Sequence, residues 1–214
     1  MKYKIEDIRS DYTKKKLDIS KMEKDPIKQL DHWVEEAIEA DLPEPTAMCL
    51  STVNSMGQPS SRMVLLKGIR EGKLFFYTNY QSQKSRELDT NPKCALSFYW
   101  PVFERQINII GKVEKADPKT SDEYFHSRPW KSQVGAWASP QSKPITSRNV
   151  IMVNFAKYSA KYIGQRVPRP PHWGGYVVTP QVINFWQGRP NRLHDRLKYT
   201  RQSSGDWKLE RIAP

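Results

Sequence analysis

Cysteine is scarce. Cys49 and Cys94 are the only two in 214 residues, and each sits in an apolar run, "AMCLSTV" and "KCALSFYW". Two such residues read as small buried hydrophobes, not as a disulfide framework. No C-x-x-C occurs and the four histidines are scattered, so no metal site is expected. No apolar run approaches membrane-spanning length, and "MKYKIEDIRSDY" has no hydrophobic signal core. A cytoplasmic location and no membrane partner are the expectation. The glycine signatures of nucleotide and hydrolase folds (G-x-G-x-x-G, the P-loop, G-x-S-x-G) are missing as well, so any phosphate site must be built from side chains. Acidic residues are the last shortage: 23 Asp+Glu against 35 Lys+Arg give a formal charge of +12. That balance points to anionic partners, with phosphorylated small molecules, nucleic acid and an acidic membrane surface all compatible with it.

What is present argues for a folded core. Aromatics make up 11% of the chain, seven of them Trp, and the length suits one domain. Residues 1–24 are polar and lysine-rich and read as a mobile arm; residues 25–214 read as a single domain. Asp25 and Pro26 form a helix-start pair, followed by Ile27, Leu30, Trp33, Val34, Ala37 and Ile38 at helical spacing. From Thr46 the pattern changes to short β-type runs. "TAMCLSTV" and "SSRMVLLKG" flank the turn-forming "NSMGQPS", which predicts a hairpin. "SQKSRELDTNP" predicts a short helix capped by Ser82, and Asp117–Pro118 opens another. Strands with helices inserted between them, without βαβ alternation, predict a mainly antiparallel β barrel or rolled sheet with added helices.

Several stretches concentrate polar chemistry. In "SRMVLLK", Arg62 and Lys67 are five apart and on a regular strand would face opposite sides. In "EYFHSRPWKS", Pro129 prevents one continuous helix. A helix end meeting a helix start there would place Tyr124, Arg128 and Ser132 beside free N–H groups, an arrangement suited to an anion. His126 reads as structural. Gln141 and Ser142 fit either a ligand or an ordinary polar turn, and Trp173 and Trp186 fit either core or ring-stacking roles. In "FWQGRPNRLHDR", a strand would put Arg192, His194 and Arg196 on one face, neighbours roughly 6.6 Å apart. Asp195 would point the other way and orient a neighbour. A solvated edge strand is the plainer alternative.

Taken together, "SSRMVLLKG", "FFYTN", "ERQINIIGKVEK", "YFHSRPWKSQVGAWASPQS", "HWGGY", "FWQGRPNRLHDR" and "WKLERIAP", in this order, resemble the pyridoxine (pyridoxamine) 5′-phosphate oxidase family along nearly the whole chain, arm included. The resemblance implies an FMN-binding split β-barrel and a homodimer with FMN at the subunit interface. It implies oxidation of pyridoxine 5′-phosphate or pyridoxamine 5′-phosphate to pyridoxal 5′-phosphate, with O2 reduced to hydrogen peroxide. By motif, the FMN contacts fall on Arg62, Met63, Val64, Leu65, Leu66 and Lys67, then Tyr77, Thr78, Gln83, Lys84 and Gln106, then Gln141, Ser142, Trp186 and Arg196. Substrate contacts fall on Lys67, Tyr124, Arg128, Ser132, Arg192, Leu193 and His194, with Arg192 and His194 as the catalytic pair. Arg9, Ser10, Asp11 and Tyr12 would close over the site. The lysines are dispersed and no recognition motif occurs, so no nucleic-acid partner is expected. One departure stands out: the family commonly reads Ser-Arg-Lys after "YTN", and this chain reads Ser82-Gln83-Lys84. A lost charge-assisted contact there implies FMN affinity weaker by roughly 1–2 kcal/mol.

Overall fold

The structure, a computed structural model, describes residues 11–214. Arg9 and Ser10 lie outside the described residues. The elements in chain order are α1 (Pro26–Glu39), β1 (Ala47–Val53), β2 (Pro59–Leu65), β3 (Gly68–Arg70), β4 (Lys73–Asn79), α2 (Gln83–Thr90), β5 (Lys93–Trp100) and β6 (Arg105–Lys115). Then come α3 (Pro118–Ser127), α4 (Trp130–Ala138), α5 (Arg148–Tyr162), β7 (Trp173–Gln187), β8 (Asp195–Arg201) and β9 (Trp207–Arg211). The strand order is β2-β1-β5-β6-β7-β4-β3, with β8 pairing β7 and β9. The fold is mainly β and antiparallel, as expected.

Local chemistry explains the boundaries. The Asp25 carboxylate accepts the Ile27 N–H at 2.9 Å and Asp117 accepts that of Lys119 at 2.8 Å, each with Pro as the first helical residue. The expected hairpin forms: the Asn54 side chain accepts the N–H groups of Met56 and Gln58, both at 2.9 Å, and Gly57 takes φ 80°. Such a turn favours glycine. The α1 stripe is buried except at Ile38, which is exposed.

The chain groups into two compact units. Among the described residues, one comprises 11–49, 95–110 and 180–214. Its core runs from Trp33 of α1, edge-on to Phe185 with ring centres 5.1 Å apart, to Tyr199 beyond it. Arg105 lies over the Trp33 ring at 4.3 Å and donates to Glu36 at 2.7 Å and Gln187 at 3.2 Å, so its buried charge is paired. Residues 11–24, expected as a mobile arm, lie against this unit. Leu17 is buried, and the Lys14 N–H donates to Glu104 at 3.0 Å.

The second unit comprises residues 50–94 and 111–179. Phe125, Val134, Tyr162, Val167 and Trp173 form a buried cluster between its helices and the start of β7. The "GGY" of β7 is a close-approach site. A Cβ on Gly174 would fall 2.2 Å from the Tyr80 hydroxyl, and one on Gly175 would fall 2.8 Å from the Tyr77 ring. Gly175 leaves room for the Tyr77 ring, which stacks on Tyr124 with ring centres 3.8 Å apart.

Candidate binding site

In the second unit a cavity of about 490 Å³ is lined by residues from β2, β4, α2 and the α3–α4 junction. It gathers Arg62, Met63, Val64, Leu65 and Lys67 of the β2 stretch with Tyr77, Thr78 and Lys84. Of the other expected residues, Tyr124, Arg128, Ser132 and Gln141 also line it, as do Pro129 and Trp173. Arg62 and Lys67 were expected on opposite faces. They share the cavity because β2 ends at Leu65 and the Lys67 N–H turns to pair with Phe75 at 2.8 Å. The strand period stops where the strand stops.

The α3–α4 break falls where Pro129 requires it. Arg128 is extended (φ −76°, ψ 149°), and α4 begins at Trp130. Buried Gln133 pins the junction by donating to the Arg128 carbonyl at 2.7 Å. The Arg128 guanidinium lies over the Trp173 ring at 4.5 Å, and its buried Nη1 has no hydrogen-bond partner. Burial lowers the Arg128 pKa and raises that of Tyr124. A buried cationic donor beside a phenol in a cavity fits an anionic ligand oxygen. His126 makes a structural bond, its Nε2 3.2 Å from the Val167 carbonyl.

In the same lining, the Lys84 Nζ donates to Thr78 Oγ1, Ser82 Oγ and Gln141 Oε1, each at 3.1 Å. Burial, and secondarily the Arg62 charge, take its pKa down to about 8. Arg62 Nη1 donates to Thr52 at 2.5 Å, and Nη2 donates to Ser60 at 2.6 Å and to Glu87 at 3.3 Å. Glu87 also accepts from Thr52, Ser60 and Gln83. Burial opposes its charge, but those hydrogen bonds and Arg62 outweigh it and bring the pKa down to about 2. Sequence reasoning missed Glu87, whose only signal is its place one helical turn after Gln83. The Gln83 amide donates to Glu87 at 2.9 Å and does not line the cavity.

Because the folded-state pKa of Glu87 lies below its ordinary 4.5, its stabilisation is complete above pH 4.5 and is lost as pH falls toward 2. Glu87→Gln is expected to lower stability at pH 7 by about 2 kcal/mol, ~4–8 °C in Tm for a chain this size, and to flatten the acid limb. Thermal melts from pH 2 to 7 on both proteins check this. An unchanged acid limb would count against it.

The remaining expected residues are elsewhere. Leu66 is buried in the core, and Ser142 is exposed with φ 64°. Gln106, half-buried on β6, belongs to the first unit, as do Asp11, Tyr12 and the "FWQGRPNRLHDR" residues. That stretch corrects the strand reading. Pro190–Arg192 is a 3-10 turn with Asn191 at φ 57° and Arg192 at φ 61°, and β8 begins only at Asp195. Pro190 cannot donate to a ladder and Asn tolerates the left-handed region, so Arg192, His194 and Arg196 do not share a strand face. Register does bring Trp186 opposite Arg196. Trp186 is packed by His194 (ring centres 4.8 Å apart) and Tyr12 (5.5 Å apart). Leu193 and Arg192 are exposed.

Cys94 is buried, which pushes its thiol up to about 12, and Cys49 is free. Among the described residues there is no cluster suited to a metal ion, and no helix is long and apolar enough to cross a membrane.

Residues 34–162 match the family described as pyridoxamine 5′-phosphate oxidase, and residues 173–214 match the pyridoxine 5′-phosphate oxidase C-terminal dimerisation region. The chain is 50% identical over 210 residues to a pyridoxine/pyridoxamine 5′-phosphate oxidase of Bacteroides thetaiotaomicron, covering 98% of this chain and 99% of that one. It is also 50% identical to the protein of that name from Chromobacterium violaceum, over the full length of both. Among solved structures, PhzG of Burkholderia lata in complex with tetrahydrophenazine-1-carboxylic acid superposes with a TM-score of 0.86 at 31% identity, covering 91% of this chain and 95% of that one. A pyridoxamine 5′-phosphate oxidase-related, FMN-binding protein of Nostoc punctiforme shares the fold, with a TM-score of 0.69 at 17% identity and coverage of 87% and 96%. The architecture is the split β-barrel of these proteins.

Proposed function

Because the chain belongs to the pyridoxine/pyridoxamine 5′-phosphate oxidase family, we propose that it is an FMN-dependent oxidase. Its substrates are pyridoxine 5′-phosphate and pyridoxamine 5′-phosphate, and its product is pyridoxal 5′-phosphate. The observation that carries this reading is the cavity that puts Lys67, Arg128, Tyr124 and Ser132 beside Lys84, Thr78 and Gln141. Two groups of anion-binding side chains border one space, as two phosphorylated ligands require.

The residues fit both ligands. Lys84, with Arg62 behind it, gives cationic support to the FMN phosphate, and Thr78 and Gln141 give hydrogen bonds. The backbone and side chains of Met63, Val64 and Leu65 border the ring system. FMN, when bound, would supply the acceptor for a hydride equivalent from the substrate's 4′ carbon; O2 would take up the two electrons and two protons to give hydrogen peroxide, and water would hydrolyse the imine formed from the amine substrate to release ammonia. Lys67, Arg128, Tyr124 and Ser132 hold the substrate phosphate. Arg192 and His194 orient the pyridine ring, and Arg196 and Trp186 flank the cofactor ring, where a cation favours added negative charge. Asp11 and Tyr12 of the arm cover the site and exclude water. Gln106 and Ser142 contribute at the cofactor's edge, and Gln83 leaves the phosphate with one cation fewer.

A homodimer with FMN at the subunit interface completes the reading. The match of residues 173–214 to a dimerisation region supports it. The test is aerobic stoichiometry. Pyridoxal 5′-phosphate and hydrogen peroxide are expected in equal amounts from pyridoxine 5′-phosphate, with ammonia added from the amine. The Burkholderia lata structure holds a ligand named without a phosphate, so unphosphorylated pyridoxine is the control. Equal turnover of the two would remove the assigned role of Arg128 and Lys67.

A further inference from the structure

One carboxylate in the first unit holds two separate pieces of chain. Asp195 Oδ2 accepts the Leu17 N–H at 3.1 Å, and Oδ1 accepts Arg211 Nη1 at 2.6 Å. Arg211 Nη2 in turn donates to the Leu17 carbonyl at 3.0 Å, so both backbone groups of Leu17 are bound through this pair. The Asp195 Oδ2 also lies 3.5 Å from Arg189 Nε, and Arg189 Nη1 donates to the Lys15 carbonyl at 3.4 Å. The Arg189 main-chain N–H donates to His194 Nδ1 at 3.1 Å. That bond makes Nδ1 an acceptor, so the neutral imidazole carries its proton on Nε2.

Upstream of Leu17, the Tyr12 ring stands edge-on to His194, centres 5.6 Å apart, and covers Gly188. A Cβ on Gly188 would fall 2.7 Å from Tyr12 Cγ, so the ring sits directly on the backbone there. The Asp195 side chain is 19% exposed, and its partners Arg189 and Arg211 are 24% and 46% exposed. It is therefore the most enclosed of the three charged side chains, and the charge that both arginines share.

We propose that Asp195 is a positioning residue that couples the arm to His194. It fastens Leu17, which keeps Tyr12 over His194 and Trp186. Through Arg189 it also holds the amide that fixes the imidazole as its Nε2–H tautomer, leaving a donor for the substrate ring. The part concerning substrate rests on the oxidase reading above; the coupling itself does not.

The experiment is Asp195→Asn in the full-length FMN-loaded protein, read in three ways. Amide hydrogen exchange over residues 12–17 is expected to speed up at least tenfold, with β7 and β8 unaffected. Long-range 1H–15N spectra of histidine-labelled protein are expected to show one tautomer of His194 in the parent and a mixture in the variant. The KM for pyridoxine 5′-phosphate is expected to rise about tenfold while kcat falls less than threefold, the pattern of a lost contact to the substrate ring made alike in ground and transition states. If exchange over 12–17 does not change, the proposal is wrong whatever the substrate. Faster exchange with an unaltered KM and tautomer would overturn the coupling. A parent protein that fails to oxidise the substrate would instead sink the oxidase reading, while exchange and tautomer would still judge Asp195. If the Asn variant does not fold, Arg211→Gln, at a half-exposed side chain, carries the same test through the other end of the Leu17 contact.

Discussion

Replacing Arg128 by Met lowers kcat/KM for pyridoxine 5′-phosphate by about 10–100-fold, the equivalent of one charge-assisted hydrogen bond. The loss falls mainly on KM, because the phosphate is remote from the reacting carbon and is held alike in ground and transition states. Folding survives. Arg128 Nη1 has no partner that truncation would leave unpaired, and the Met side chain can still pack on Trp173 and Phe125, which the guanidinium now covers at 4.5 and 5.6 Å. Flavin content should match that of the parent, since the cofactor phosphate is assigned to Lys84 and Arg62. Steady-state kinetics with a flavin spectrum of the same sample check the outcome. A fall confined to kcat, or a loss of flavin, would move Arg128 out of the substrate-phosphate role.

The second large effect belongs to Lys84. Its pKa of about 8 in the folded chain, against an ordinary 10.5, reflects burial and the nearby Arg62. A bound phosphate dianion favours the charged ammonium, so binding takes up a proton above pH 8. FMN affinity is therefore expected to fall as pH rises from about 8. Stability of the cofactor-free protein runs the other way. The unfolded chain binds the extra proton between about 8 and 10.5, so this residue's destabilisation fades as pH rises through that window. Lys84→Met is expected to weaken FMN about 10–100-fold at pH 7 and to remove both slopes. Quenching of FMN fluorescence at pH 7 to 9.5, beside thermal melts of the cofactor-free protein, reads both. Parallel slopes in the two experiments would contradict the assignment.

Much of this site was legible in the sequence because short-range chemistry dictates it. Pro129 alone splits α3 from α4 and places Arg128 at the junction, and Asn54 with Gly57 dictates the hairpin that presents Arg62. The errors share a physical cause. Period-two reasoning assumes that a strand continues, and two of the richest stretches lie where it does not. β2 stops before Lys67, and the turn through Asn191 and Arg192 delays β8 until Asp195. Partners distant in sequence were the other blind spot. Nothing near Arg62 announces Glu87, 25 residues on, and nothing near Asp195 announces Leu17, 178 residues away.

The most direct test is a visible spectrum of the purified protein, taken before and after pyridoxine 5′-phosphate is added without oxygen. A yellow protein whose flavin absorbance bleaches on addition, and recovers when air is admitted, is the expected result. A protein that shows no flavin band after incubation with FMN, or one that stays yellow with the substrate present, would contradict the assigned chemistry.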